Sequence, residues 1–328
     1  MPRHVKAPSS NPTPRARAIL VGLCCGIALF SAGGPPDAQA QGTSAAPPTG
    51  AAPRAGSIEE AQARVKKTPK DPAALLALGS AYRRAGRPQE AADTFKKMIA
   101  IDPKGSAAHV SLGAVYMDLN RPDDAEREFQ KALSLNPSDG AAHFNMGNFY
   151  QTRGRRDDAL SEFRKSTQLN PPIPNAWVNI GLIQAELGKQ DDAIRAYRQA
   201  LQIDSTHVRA LTNLGNTQYS LGRIAEATAL YRKALKLDPN NQEANYNMGV
   251  AFADAQIFKG ALSYWKRVVA IDSTSTIAES AKGSIQVLGD YLNSQKTAPP
   301  APQPPAGVPV PRAVETNPAP PRGTSGKH

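Results

Sequence analysis

Residues 208–241 read VRALTNLGNTQYSLGRIAEATALYRKALKLDPNN, and the same pattern stands directly before and after them. Laying the chain on itself at that spacing superposes six segments without an insertion: 72–105, 106–139, 140–173, 174–207, 208–241 and 242–275. The eighth residue of each is glycine (Gly79, Gly113, Gly147, Gly181, Gly215, Gly249), and the twentieth is alanine (Ala91, Ala125, Ala159, Ala193, Ala227, Ala261). The twenty-fourth is aromatic, running from Phe95, Phe129 and Phe163 to Tyr197, Tyr231 and Trp265. Apolar residues recur every three or four positions, as in Leu75, Leu78 and Tyr82 and then Ala91, Phe95 and Met98. That spacing predicts two amphipathic helices per segment. Glycine and alanine remove bulk where the two cross, and the ring fills the space beside them.

The punctuation agrees with this period. Gly86, Asn120, Gly154, Gly188 and Gly222 follow the first helix, where a left-handed residue is needed, and Gln256 departs from the series. Pro103, Pro137, Pro171 and Pro239 stop the second helix, with Ser205 and Ser273 in place of proline. Asp123-Asp124, Asp157-Asp158 and Asp191-Asp192 open second helices, where carboxylates are expected to cap free N–H groups and complement the helix dipole rather than bind metal. Residues 57–71 predict a partial capping helix at the N-terminal end. Residues 276–294 predict another at the C-terminal end, with Ile277, Ala281, Ile285, Leu288 and Leu292 on one side.

The unit resembles the tetratricopeptide repeat, whose length and Gly, Ala and aromatic positions it matches over about two thirds of the chain. The resemblance implies an all-α, right-handed superhelical solenoid of six helix-turn-helix repeats plus a C-terminal capping helix. It also implies that first helices line a concave, partner-binding groove faced by repeat positions 2, 5, 6, 9, 12 and 13. Position 6 is Asn145, Asn179, Asn213 and Asn247 in four consecutive repeats, and position 9 adds Asn148 and Asn216. An amide both donates and accepts, so such a row can pair with the backbone of an extended chain whatever its sequence. The row is similar to the asparagine ladder in the repeat arm of O-linked N-acetylglucosamine transferases. Phe144 and Tyr246 stand beside it and complete the expected peptide-binding set. The lysines with which chaperone-binding members clamp a C-terminal carboxylate at position 5 are replaced by Leu76, Val110, Phe144, Val178, Thr212 and Tyr246. The groove charges nearly balance: Arg83, Arg84 and Arg209 against Asp118, Glu186, Glu243 and Asp254.

The rest of the sequence narrows the function classes. The formal charge of +11 is spread as +3 over residues 1–40, +2 over 41–71, +4 over 72–275 and +2 over 276–328, so no nucleic-acid footprint emerges. A row of Lys and Arg at positions 25 and 26 of the repeats reads as a solvated face. Arg3, Lys6, Arg15 and Arg17 precede the apolar run Ala18–Phe30, and Ala38-Gln39-Ala40 follows, which reads as a signal peptide over 1–40. That predicts a periplasmic or secreted protein after cleavage near Ala40, with an inner-membrane signal anchor as the alternative. Membrane contact is expected only through an uncleaved N-terminal segment. Cys24 and Cys25, the only cysteines, lie inside this run, so the mature chain would carry no disulfide and no thiolate. Residues 41–56 form a Pro/Ala/Gly-rich linker and 295–328 a Pro-rich tail, both of disordered composition. His109 and His143 take the place of a large apolar residue at position 4, and no catalytic motif appears, so no enzyme, cofactor or metal is expected. The reading is a protein-interaction scaffold that binds an extended protein or peptide segment. The alternative is a structural assembly factor acting through its edges, convex face or tail.

Overall fold

The computed structural model describes residues 57–169 and 172–297, with side chains through residue 295. The segments read as signal peptide, linker and most of the Pro-rich tail lie outside the described residues.

The described residues are helical, with no strand among them. A single helix, α1 (Ile58–Lys67), leads into six pairs. First helices are α2 (Pro72–Arg84), α4 (Ser106–Asp118), α6 (Gly140–Thr152), α8 (Pro174–Glu186), α10 (Val208–Ser220) and α12 (Gln242–Asp254). Second helices are α3 (Pro88–Ile101), α5 (Pro122–Leu135), α7 (Arg156–Gln168), α9 (Gln190–Ile203), α11 (Ile224–Leu237) and α13 (Phe258–Ile271). Both series begin at one constant interval, that of the sequence segments, so the sequence period is the structural period. The last helix is α14 (Thr276–Thr297). Residues through Leu288 form one compact unit, and a second unit begins at Gly289, of which residues 289–297 are described, as helix.

The glycine-aromatic pairing decides how closely the helices of a pair approach. A Cβ added at Gly147 would stand 2.6 Å from the Phe163 ring, and one at Gly181 would stand 2.5 Å from Cε1 of Tyr197. Both rings are at most 1% exposed, and each such side chain contributes about 1.5–3 kcal/mol by leaving water. Neighbouring pairs stack through the same small and aromatic residues in successive clusters, one holding Phe95, Phe129 and Met146 and the next Phe163, Ala176 and Ile180.

The turn after the first helix needs a left-handed residue in every repeat. Gly86, Gly154, Gly188 and Gly222 supply it at φ 69–75°, and Asn120 at 54°. Gln256 adopts φ 60° as well, although its Cβ disfavours that region. The turn after the second helix is closed by an aspartate or asparagine side chain accepting the backbone N–H two residues on, as in Asp102 to Lys104 and Asn136 to Ser138. Where proline is missing, Thr206 and Thr274 also donate their hydroxyls to Asp204 and Asp272, both at 2.7 Å. A second hydrogen bond thus stands where the ring constraint is absent.

Two local expectations are corrected. The paired acids do not cap the second helices. The capping position there is Arg121, Arg155 or Lys189, which offers no acceptor. They stand in the first turn, and the second acid of each pair meets an arginine, Arg121 with Asp124 at 2.5 Å, Arg155 with Asp158 at 2.7 Å, and Arg195 with Asp192. Side-chain capping belongs to first helices, where Asp71, Asp139 and Asn241 accept backbone N–H groups. On α14 the buried line through Leu288 is Ala278, Ala281, Ser284 and Leu288, while Ile277 and Ile285 are half-buried. Small residues let this helix approach closely, so the seam follows them rather than the largest side chains.

Candidate functional site

First helices pack on their successors, α2 on α4, α4 on α6, α8 on α10 and α10 on α12, while successive second helices do not approach to that extent. The first helices therefore line the inner side of the curve through residue 288. Hydrogen bonds across their seams fix the register. Arg83 on α2 meets Asp118 on α4 at 2.5 Å, and Tyr219 on α10 meets Asp254 on α12 at the equivalent place.

The asparagines do not form one uniform row. Asn179 donates its amide to Oδ1 of Asn148 at 2.8 Å, and Asn247 donates to Oδ1 of Asn216 at 2.6 Å. Each pair joins position 9 of one repeat to position 6 of the next. The other two repeats lack a polar residue at the preceding position 9: Ala114 precedes Asn145, and Leu182 precedes Asn213. Asn145 accordingly turns back to the carbonyl of Ala141 at 2.8 Å and stays half-buried, while Asn213 is buried at 7% exposure. Asn179 and Asn247 are buried too, so their amides hold the seam; Asn145, Asn148 and Asn216 are half-buried, and of these Asn216 has both amide atoms engaged within the protein. The equal sequence spacing from Asn148 to Asn179 and from Asn216 to Asn247 was the available signal.

Asn216 is the hub of a larger network. Its Oδ1 also accepts the Tyr231 hydroxyl at 2.9 Å, and its Nδ2 donates to Glu243 at 2.8 Å. Burial pushes the Tyr231 and Tyr197 hydroxyls far above the ordinary tyrosine range, so both remain protonated donors. Burial likewise pushes the Glu243 carboxyl up, against the Asn216 hydrogen bond and the charge of Arg209, which pull it down.

Phe144 is half-buried and packs 5.8 Å from Phe163, centroid to centroid. Tyr246 is only 4% exposed, and its hydroxyl lies 3.4 Å from Ser284 on α14. The last helix covers it, so it belongs to the wall under the cap rather than to an open contact surface. His109 and His143 are buried polar residues, not apolar substitutes. Their Nδ1 atoms face Glu128 and Glu162 at 2.7 and 2.6 Å, from the first helix to the second of each repeat. The basic residues at positions 25 and 26, such as Lys96, Lys131 and Arg232, are exposed. Among the described residues no group of three His, Cys, Asp or Glu could hold a metal ion, and no helix is long and apolar enough to cross a membrane.

Fold and inner face together define a tetratricopeptide-repeat protein. The chain belongs to the family described as the Cilia and flagella-associated protein 70 C-terminal domain, whose model matches residues 37–279. Its fold is similar to that of PilF from Pseudomonas aeruginosa, with a TM-score of 0.57 at 19% identity over 69% of this chain and 98% of that one. A structure of PilW, described as a widely conserved type IV pilus biogenesis factor, aligns with TM-score 0.56 at 20% identity, covering 64% of this chain and 98% of that one. A tetratricopeptide repeat protein from Parabacteroides merdae gives 0.51 at 19% identity, covering 71% and 91%. No curated protein sequence matches this chain.

Proposed function

We propose that this protein is a non-enzymatic scaffold that holds an extended segment of a partner protein along the inner face of its first helices. The observation that carries this reading is the polar seam of that face. Asn145 and Asn148 offer accessible amides on one stretch, beside the half-buried ring of Phe144. Backbone pairing by such amides gives affinity, and the ring gives apolar area. Asn179 and Asn247 are buried and keep the register of successive helices through Asn148 and Asn216, while Asn213 is buried without such a seam bond among the described residues. An envelope location after signal cleavage rests on the signal-like residues 1–40, and the likeness to the pilus factors is compatible with it.

The test is a double substitution, Asn145→Ala with Asn148→Ala. Each lost hydrogen bond to a bound backbone is worth about 0.5–1.5 kcal/mol, so affinity for a groove-bound segment falls by about 1–3 kcal/mol. Undiminished binding with an intact fold overturns the reading.

A second reading has its own support. Ile101, Ile203 and Leu237 occupy the same repeat position at the ends of second helices and are 39–43% exposed. An assembly factor would dock on that apolar edge row. Replacing the three with Ser separates the readings, because only edge docking loses its partner.

A further inference from the structure

Five of the seven inner-face charges are accounted for. Arg83 pairs with Asp118, Glu186 with Arg156 at 3.4 Å, Asp254 with the Tyr219 hydroxyl, and Arg84 also has a partner. Arg209 and Glu243 remain. Neither has an opposite charge within 4.0 Å among the described residues, yet both are half-buried. They hold the same repeat position, the second, on successive first helices, and each acts on the other's charge.

Their unequal surroundings explain why they stay apart. Glu243 is anchored by Asn216, the position-9 residue of the preceding repeat, and that bond holds its carboxylate at the α10–α12 seam. The matching position-9 residue for Arg209 is Leu182, which has no polar atom to offer. The guanidinium thus keeps a partly desolvated fork of five donors without a fixed acceptor among the described residues. Desolvation makes a charge of this kind costly alone and strongly selective for a partner that completes it.

We propose that Arg209 and Glu243 form a two-charge reader. In it, Arg209 takes a carboxylate side chain of the bound segment and Glu243 takes a basic side chain at a fixed distance along the same segment. The proposal rests on the groove reading above and gives its partner a chemistry. A free phosphate or other small anion is disfavoured, because the Glu243 carboxylate repels an anion seated beside it. A wholly acidic segment is disfavoured on the same ground.

The probe is a library of random linear dodecapeptides panned against the full chain. Selected peptides are then resynthesised and their binding measured by fluorescence anisotropy. The expected result is an acidic and a basic residue at one constant separation. Affinity should fall at least about tenfold in Arg209→Gln and in Glu243→Gln, variants of similar shape that keep the fold. The double reversal Arg209→Glu with Glu243→Arg should prefer the peptide with its two charges exchanged. Selected peptides that depend on Asn145 and Asn148 but lack the charge pair, or ignore both Gln variants, overturn this inference and leave the groove reading standing. If no selected peptide depends on Asn145 and Asn148, both fall together. Circular dichroism melts of each variant show whether a loss of binding is a loss of fold, and the exchanged-charge preference cannot arise from unfolding.

Discussion

The first three repeats and the last three share a backbone period but are fastened by different chemistry. In residues 72–173 arginine–tyrosine stacks stand at the turn between the two helices of each pair, beside the His109–Glu128 and His143–Glu162 hydrogen bonds. Arg87, Arg121 and Arg155 sit 4.3–4.9 Å over the rings of Tyr82, Tyr116 and Tyr150, each five residues earlier. The packed aromatic is phenylalanine, which asks for no partner. In residues 174–275 the outer stacks give way to Gln184, Gln218 and Phe252. The packed aromatics there carry donors, and two of them find acceptors on first helices: Tyr231 on Asn216, and Trp265 on the Tyr246 carbonyl at 3.1 Å. One half adds exposed arginine clips to its His109–Glu128 and His143–Glu162 hydrogen bonds, while in the other the hydrogen bonds of the packed aromatics themselves reach the inner face. A buried network is costly to break because each deletion strands its partners, whereas an exposed clip is screened by water.

The largest expected difference lies there. Asn216→Ala leaves the Tyr231 hydroxyl, the Asn247 amide and Glu243 without their partner, and about 3 kcal/mol of stability should be lost. Chemical denaturation monitored by circular dichroism measures it, and a loss below about 1 kcal/mol breaks the contrast. What the halves share should cost alike in both. Gly113→Leu against Phe129 and Gly181→Leu against Tyr197 should each lose about 1–3 kcal/mol through overpacking. A marked difference between them would place the halves' divergence in the crossing itself.

Smaller effects sharpen the comparison. Gln256→Gly should stabilise the last repeat by about 1 kcal/mol, by removing a Cβ from the left-handed turn. Arg121→Ala, which removes an exposed clip, should cost under about 1 kcal/mol, and high salt should shrink that cost further. Glu243→Gln tests the sign of a buried charge. The Glu243 carboxyl holds its proton more tightly folded than unfolded. The native state therefore loses stability as pH rises through the folded value. Thermal melts should show the Gln variant gaining on the wild type near pH 7, with the gain shrinking toward about pH 4, where both states are protonated.

Much of this architecture was legible because its causes are local and periodic. Gly181 and Tyr197 lie within one repeat, and their complementarity of size recurs six times, so the sequence alone predicts the crossing. The inner face was less legible. Repeat position placed the asparagines on that face, but whether an amide faces a partner segment or a neighbouring helix depends on position 9 of the repeat before. Asn148 and Asn216 bind the next asparagine; Ala114 and Leu182 cannot. Tyr246 was similarly hidden, since its cover comes from Ser284, which lies beyond the last repeat and outside the period. The aspartate pairs misled for a simpler reason: composition shows an acid near a helix start but not that an arginine occupies the capping position.

The most direct test of the account is to place a photo-crosslinking side chain at position 148 on the inner face and at position 101 on the outer edge. Irradiation in the native cell, followed by mass spectrometry of the adducts, identifies which face meets the partner. Adducts from position 148 should map to one continuous segment of a partner protein, with few from position 101. Adducts arising from position 101 alone would contradict the groove reading.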